Sequence, residues 1–145
     1  TSKNDLEAIS TDKQWIMNGA EPFCKNAGLS VEKARSGRNS FLLPWAESYA
    51  LNYELKNLAP GQLYEASMWR LGGDNDAYLV AAAKNAEAFY AQSKGFLEKD
   101  KQGWEKLVLT IKVPDNFKED KLNIYLWNHG GKPAWFDDFE ISRYK

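Results

Sequence analysis

Residues 121–145 read KLNIYLWNHGGKPAWFDDFEISRYK. Leu122, Ile124 and Leu126 alternate with Asn123, Tyr125 and Trp127. The turn His129-Gly130-Gly131-Lys132-Pro133 follows, and a second run extends from Ala134 to Ile141. Period-two alternation on both sides of a Gly- and Pro-rich turn predicts two paired antiparallel strands. The second run carries Asp137-Asp138 where a strand disfavours Asp, so the pair stands out.

The same pattern recurs upstream. Phe41-Leu42-Leu43 is a short apolar strand stopped by Pro44. Tyr49 to Leu58 places Leu51, Tyr53 and Leu55 on one face and Asn52 and Glu54 on the other. Ala59-Pro60-Gly61-Gln62 has Pro and Gly where a type II turn wants them. In Leu63 to Leu71, Tyr64, Ala66 and Met68 share one face, and Glu65, Ser67 and Trp69 share the other. Tyr78 begins a strand that runs to about Ala83, with a loop or short strand behind it. Leu107, Leu109, Ile111 and Val113 line a further strand. Gln14 to Met17 is a short strand, and Gly19 to Gly28 reads as loop. The total is eight to ten antiparallel strands with no sustained helical period, which predicts an all-β sandwich or jelly roll.

A chain of 145 residues with 43% hydrophobic residues suits one domain with a sizeable core. Nineteen basic residues face twenty acidic ones, a net charge of -1. No basic cluster interrupts that balance, so nucleic acid is not an expected partner. No apolar run approaches the roughly 18 residues of a membrane span. Cys24 is the single cysteine, which excludes an internal disulfide and a multi-cysteine metal site and suits a buried, inert thiol. Residue 1 is Thr, and the expectation is a module cut from a larger protein. With one His and no nucleophile motif, triad and zinc chemistry find no support.

Five short stretches carry a resemblance. Asn4-Asp5-Leu6-Glu7 resembles the "N-x-F-E" opening of jelly-roll carbohydrate-binding modules, with Leu6 in place of Phe. Ser36-Gly37 resembles their "SG" turn. Leu58 to Tyr64 resembles "L-x-P-G-x-x-Y", and Gly103 to Leu107 resembles "G-W-x-x-L". Trp135 to Ile141 resembles the closing "Y-x-D-D-V-x-I" strand. In this order they resemble the galactose-binding-like modules of carbohydrate-binding families four, nine and twenty-two. Ala81 to Ala91 does not align with that pattern.

The resemblance implies a structural Ca²⁺ between the first and last strands, with Glu7 and Asp137 as side-chain ligands and backbone carbonyls completing about six to eight oxygens. Parity with Phe139 and Ile141 predicts that Asp137 points inward. The alternative is that Asp137 accepts backbone amides without an ion. For sugar binding, Trp69, Tyr125 and Trp127 fall opposite the core-facing residues of their strands. Aromatic faces stack on the C–H faces of sugar rings while polar groups bond the hydroxyls. Asn123, Glu65 and Arg70 are the polar neighbours by parity or position. The alternative is that another element covers these rings. Trp15 and Trp104 read as packing residues, and His129 as a surface turn residue. The expectation is therefore non-catalytic binding of an oligo- or polysaccharide by a module attached to a larger extracellular, cell-surface or periplasmic protein. A structural or protein-interaction jelly roll and a glycan-cleaving enzyme are the alternatives.

Overall fold

The computed structural model describes residues 2–144. In chain order the strands are β1 (Ser2–Asn4), β2 (Trp15–Asn18), β3 (Glu21–Lys25), β4 (Leu29–Ser30), β5 (Ser40–Leu43), β6 (Ser48–Leu55), β7 (Leu63–Gly72), β8 (Ala77–Ala82), β9 (Tyr90–Gln92), β10 (Glu98–Lys99), β11 (Glu105–Lys112), β12 (Leu122–Asn128) and β13 (Ala134–Arg143). Nine are four residues or longer, within the predicted range, and four shorter pieces extend the edges. Every ladder is antiparallel.

The strands form a sandwich. The large sheet runs β10-β11-β7-β13-β5-β4, with β1 added to the far half of β13. The small sheet runs β6-β12-β8-β9. Ala66 and Met68 of β7, Leu107 and Ile111 of β11, and Phe136, Phe139 and Ile141 of β13 supply the core from the large sheet. Leu122, Ile124 and Leu126 of β12 meet them with Leu79 and Ala81 of β8. Alternation is what makes this possible: each strand buries one parity and leaves the other for a separate use.

Two irregularities break the alternation, and both matter for the site. In β6, Leu51 and Asn52 have φ of 81° and 51°, and the pairing with β12 shifts between Ile124 and Leu126. This extra residue is a β-bulge. It keeps Leu51 buried at 2% exposure yet turns Tyr49, two residues earlier, to solvent at 56%. In β13, Asp138 has φ of 56° and the pairing with β7 shifts between Asp137 and Glu140. Phe136 and Phe139 both enter the core as a result.

Residues 21–25, read from sequence as loop, are instead β3, which pairs with β2 in a separate hairpin. Phe23 and Cys24 of that strand are buried and overrode the local Gly, Pro and Asn signals. Burial pushes the Cys24 thiol up to about 12, so it is inert.

Candidate functional site

The outer face of the small sheet is an aromatic surface. Trp127 of β12 pairs across to Tyr49 on β6 and to Tyr78 on β8, so three rings share one row. The Trp127 ring lies 5.7 Å from that of Tyr78. Tyr125 lies one row along, 6.1 Å from Tyr49. Tyr90 on β9 completes the surface at 44% exposure. Val80 and Ala82 of β8, on the same face, are buried beneath these rings. Asn123 follows Tyr125 at solvent level on the same parity.

Tyr125 separates two hollows. One, of about 510 Å³, is bordered by Tyr90, Ala82, Asn123, Glu54 and Lys121. The other, of about 390 Å³, is bordered by Tyr49, Leu51, Asn52 and Lys25. Both volumes fall in the range of small-ligand sites, about 300–1,000 Å³. Burial raises the phenols of Tyr49, Tyr90 and Tyr125 above their ordinary value, so all three are neutral hydrogen-bond donors at physiological pH.

Glu47 holds one end of this surface in place. Its Oε2 accepts the indole N–H of Trp127 at 3.1 Å and the hydroxyl of Tyr49 at 3.2 Å. Its Oε1 lies 2.8 Å from Nδ1 of His129, and the His129 ring lies 4.8 Å from Trp127. These bonds, that from His129 first and that from Trp127 next, hold the Glu47 carboxyl below its ordinary range. The carboxylate is accordingly charged and orients two aromatic rings and an imidazole at once.

Among the sequence-predicted residues, Tyr125, Trp127 and Asn123 come together here. The other three do not. Trp69 lies on the outer face of the large sheet, on the opposite side of the sandwich. It is 9% exposed, and the Arg35 guanidinium lies 3.6 Å from its ring centroid. Its face is thus covered, as the alternative reading allowed. Glu65 shares that outer face and accepts the hydroxyl of Tyr144. Arg70 points into the sandwich at 1% exposure, because it shares the parity of Tyr64, Ala66 and Met68. It donates to the Ala77 carbonyl at 2.7 Å, to Asn75 at 2.9 Å and to Glu105 at 2.9 Å. These bonds tie β7 to the start of β8, which is a structural role.

Glu7 and Asp137 converge on one loop. Glu7 accepts the amides of Arg38 and Asn39, one on each oxygen, both at 2.8 Å. Asp137 Oδ2 accepts the amides of Arg35 at 2.8 Å and Ser36 at 3.0 Å, and Oδ1 accepts that of Asp138 at 2.8 Å. The inward parity expected for Asp137 is corrected by the bulge: it pairs with Trp69 on the outer face and is buried by residues 35–36 rather than by the core. Burial pushes its carboxyl up to about 7, and the amides of Ser36, Asp138 and Arg35 pull the other way. Calcium takes six to eight oxygens. Here all four carboxylate oxygens of the pair carry backbone N–H groups. No cluster of three or more His, Cys, Asp or Glu suited to a metal occurs among the described residues. As placed, the pair fastens the loop by hydrogen bonds.

No protein-family model matches the chain. No curated protein matches its sequence. Solved structures do match it. The CBM22-2 xylan-binding domain from Paenibacillus barcinonensis Xyn10C superposes with a TM-score of 0.59 at 16% identity, covering 99% of each chain. The CBM22-1 xylan-binding domain of the same protein gives 0.59 at 15% identity, over 99% of this chain and 94% of that one. The fold is that of the jelly-roll carbohydrate-binding modules. A Stig cyclase from Fischerella sp. TAU shares it, with a TM-score of 0.55 and 16% identity over 85% of this chain and 73% of that one. The fold therefore hosts more than one activity, and the argument for function rests on the site.

Sequence reasoning missed Tyr49, Tyr78, Tyr90, Glu47 and His129. Straight alternation put Tyr49 on the same face as Leu51 and Tyr53, and only the bulge reverses it. Tyr90 lies in the segment that aligned with nothing. Tyr78 had a usable signal: it shares the parity of Val80, opposite the core residues Leu79 and Ala81.

Proposed function

We infer that this domain binds a polysaccharide chain non-catalytically along the outer face of the small sheet. The observation that carries the reading is the displayed aromatic surface Tyr49-Trp127-Tyr78 with Tyr125 and Tyr90, hollowed on both sides of Tyr125. Sugar rings present apolar C–H faces that stack on such rings and exclude water from them. The neutral tyrosine hydroxyls, Asn123, Glu47 and His129 supply donors and acceptors for the sugar hydroxyls. Aromatic rings gathered at the surface of one sheet face mark a ligand-binding groove. The structurally similar domains of Xyn10C are xylan-binding domains, and a CBM22-1 module of Clostridium thermocellum Xyn10B is joined to a GH10 module, which supports a glycan ligand and a neighbouring domain for this chain. On this reading the module targets an attached protein to polysaccharide outside the cytoplasm.

Binding to immobilised and soluble polysaccharides tests the reading. Retardation in an affinity gel by at least one of xylan, mannan, β-glucan and galactan is the expected result. Absence of binding to all four, with the protein folded, contradicts it. Release of reducing ends or unsaturated products would assign an enzyme instead.

A further inference from the structure

A third hollow opens where the small sheet ends. It holds about 670 Å³ and lies between the edge strand β6 and the β2–β3 hairpin, bordered by Trp15, Phe23, Lys25, Asn52, Tyr53 and Glu54. Lys25 and Asn52 also border the hollow beside Tyr49 and Tyr125, and Glu54 also borders the hollow beside Tyr90. Neighbouring hollows thus share bordering residues from the aromatic face to the sheet edge. The bulge lies at this crossing: Leu51 and Asn52 both take left-handed φ there, which bends β6.

The hollow at the edge has the ingredients of a sugar site. Its base is formed by Phe23 and Tyr53, with ring centroids 5.0 Å apart, and the buried Phe139 ring backs both at 5.5–5.6 Å. Half-buried Trp15 forms the wall on the hairpin side, with the Lys25 ammonium 6.0 Å from its ring centroid. Charges around it balance, Lys25 and Lys56 against Glu21 and Glu54, and Lys56 pairs with Glu54 at 3.6 Å. A balanced rim favours a neutral ligand over an ionic one.

We propose that this edge cleft receives a neutral sugar branch of a glycan whose main chain lies on the aromatic face. The ligand class is then a substituted polysaccharide, not an unbranched one. This rests on the platform reading above and adds a second contact surface at an angle to it. A branch leaving the main chain beside Tyr125 crosses Asn52 and enters the cleft, where Trp15 offers a stacking face and Lys25, Asn52 and Glu54 bond its hydroxyls. Joining two sites on one ligand raises affinity because the second contact is intramolecular.

Calorimetric titration with matched pairs tests the proposal: xylohexaose against an arabinose-substituted xylo-oligosaccharide, mannohexaose against a galactose-substituted manno-oligosaccharide, and cellohexaose against a xyloglucan oligosaccharide. For at least one pair the branched member should bind about tenfold or more tighter. Trp15→Ala should abolish that advantage and leave the affinity for the linear member unchanged, whereas Tyr125→Ala should weaken both. Lys56→Ala, at an exposed position that borders this cleft and neither hollow of the aromatic face, provides the same comparison without disturbing the hairpin. Equal affinity for both members of every pair, with Trp15→Ala and Lys56→Ala silent, overturns the branch cleft and leaves the platform standing. Failure to bind any member overturns both.

Discussion

Arg70→Met separates a structural arginine from a ligand-binding one. The guanidinium is 1% exposed and makes three hydrogen bonds, one of them to Glu105, whose side chain is 15% exposed. Methionine keeps the volume, so the cavity term is small. The loss is then electrostatic. Removing one partner of a buried ion pair costs about 3–5 kcal/mol, and the Ala77 carbonyl left without a donor adds about 1 kcal/mol or more. Glu105 regains some water, which places the sum near 4 kcal/mol. At about 2–4 °C per kcal/mol for a chain of this size, Tm should fall by roughly 8–16 °C. Differential scanning calorimetry measures it. Adding Glu105→Gln should recover part of the loss, because the stranded charge is then gone. Glycan affinity measured well below the lowered Tm should match wild type. A Tm within about 2 °C of wild type, or weakened binding at unchanged Tm, would refute the assignment.

Glu47→Ala removes the acceptor shared by Trp127 and Tyr49 and the partner of His129, so glycan affinity should weaken several-fold with Tm unchanged, read by titration calorimetry and melting. The Glu47 carboxyl is held below its ordinary value of 4.5, so its ordering effect is complete above that value and is lost as pH falls through the lowered one. The contribution of Glu47 to affinity, read as the difference between wild type and Glu47→Ala, should therefore be lost only as pH falls below 4.5. Asp137→Ala strands two loop amides, and the protection of Arg35 and Ser36 against hydrogen exchange should collapse, with a loss of about 1–3 kcal/mol per stranded N–H. Chelator should leave the wild-type Tm unmoved, and a drop would restore the calcium ion. The folded value for Asp137, about 7, lies above the unfolded 3.8, so the native state holds the proton longer. Relative to Asp137→Asn, wild type should lose stability as pH rises from about 4 to 7.

The fold was legible because alternation is strong in β7, β11 and β12, where every core residue falls on the expected parity. The same parity displayed Tyr125, Trp127 and Asn123 correctly. It said nothing about which sheet a strand joins. Trp69 and Trp127 are both outward on their own strands, yet they face opposite sides of the sandwich. Arg70 was misplaced differently: a polar neighbour in sequence sits on the other face of its strand, and here that face is the core. The two bulges hide from any periodic reading because each inserts one residue. Tyr49 became invisible through the first, and Asp137 acquired a false inward parity through the second. The β2–β3 hairpin was lost because a buried Phe23-Cys24 contact, set by tertiary packing, outweighed local turn chemistry.

The indole N–H resonances report the binding face directly. Six tryptophans give six such protons, and Trp127, Trp69 and Trp104 occupy different environments. During titration with a glycan that binds, the Trp127 indole resonance and the amides of Asn123 and Tyr125 should shift, while those of Trp69 and Trp104 stay fixed. Shifts at Trp69 and Arg35 with Trp127 unmoved would place the ligand on the large sheet and contradict the assignment.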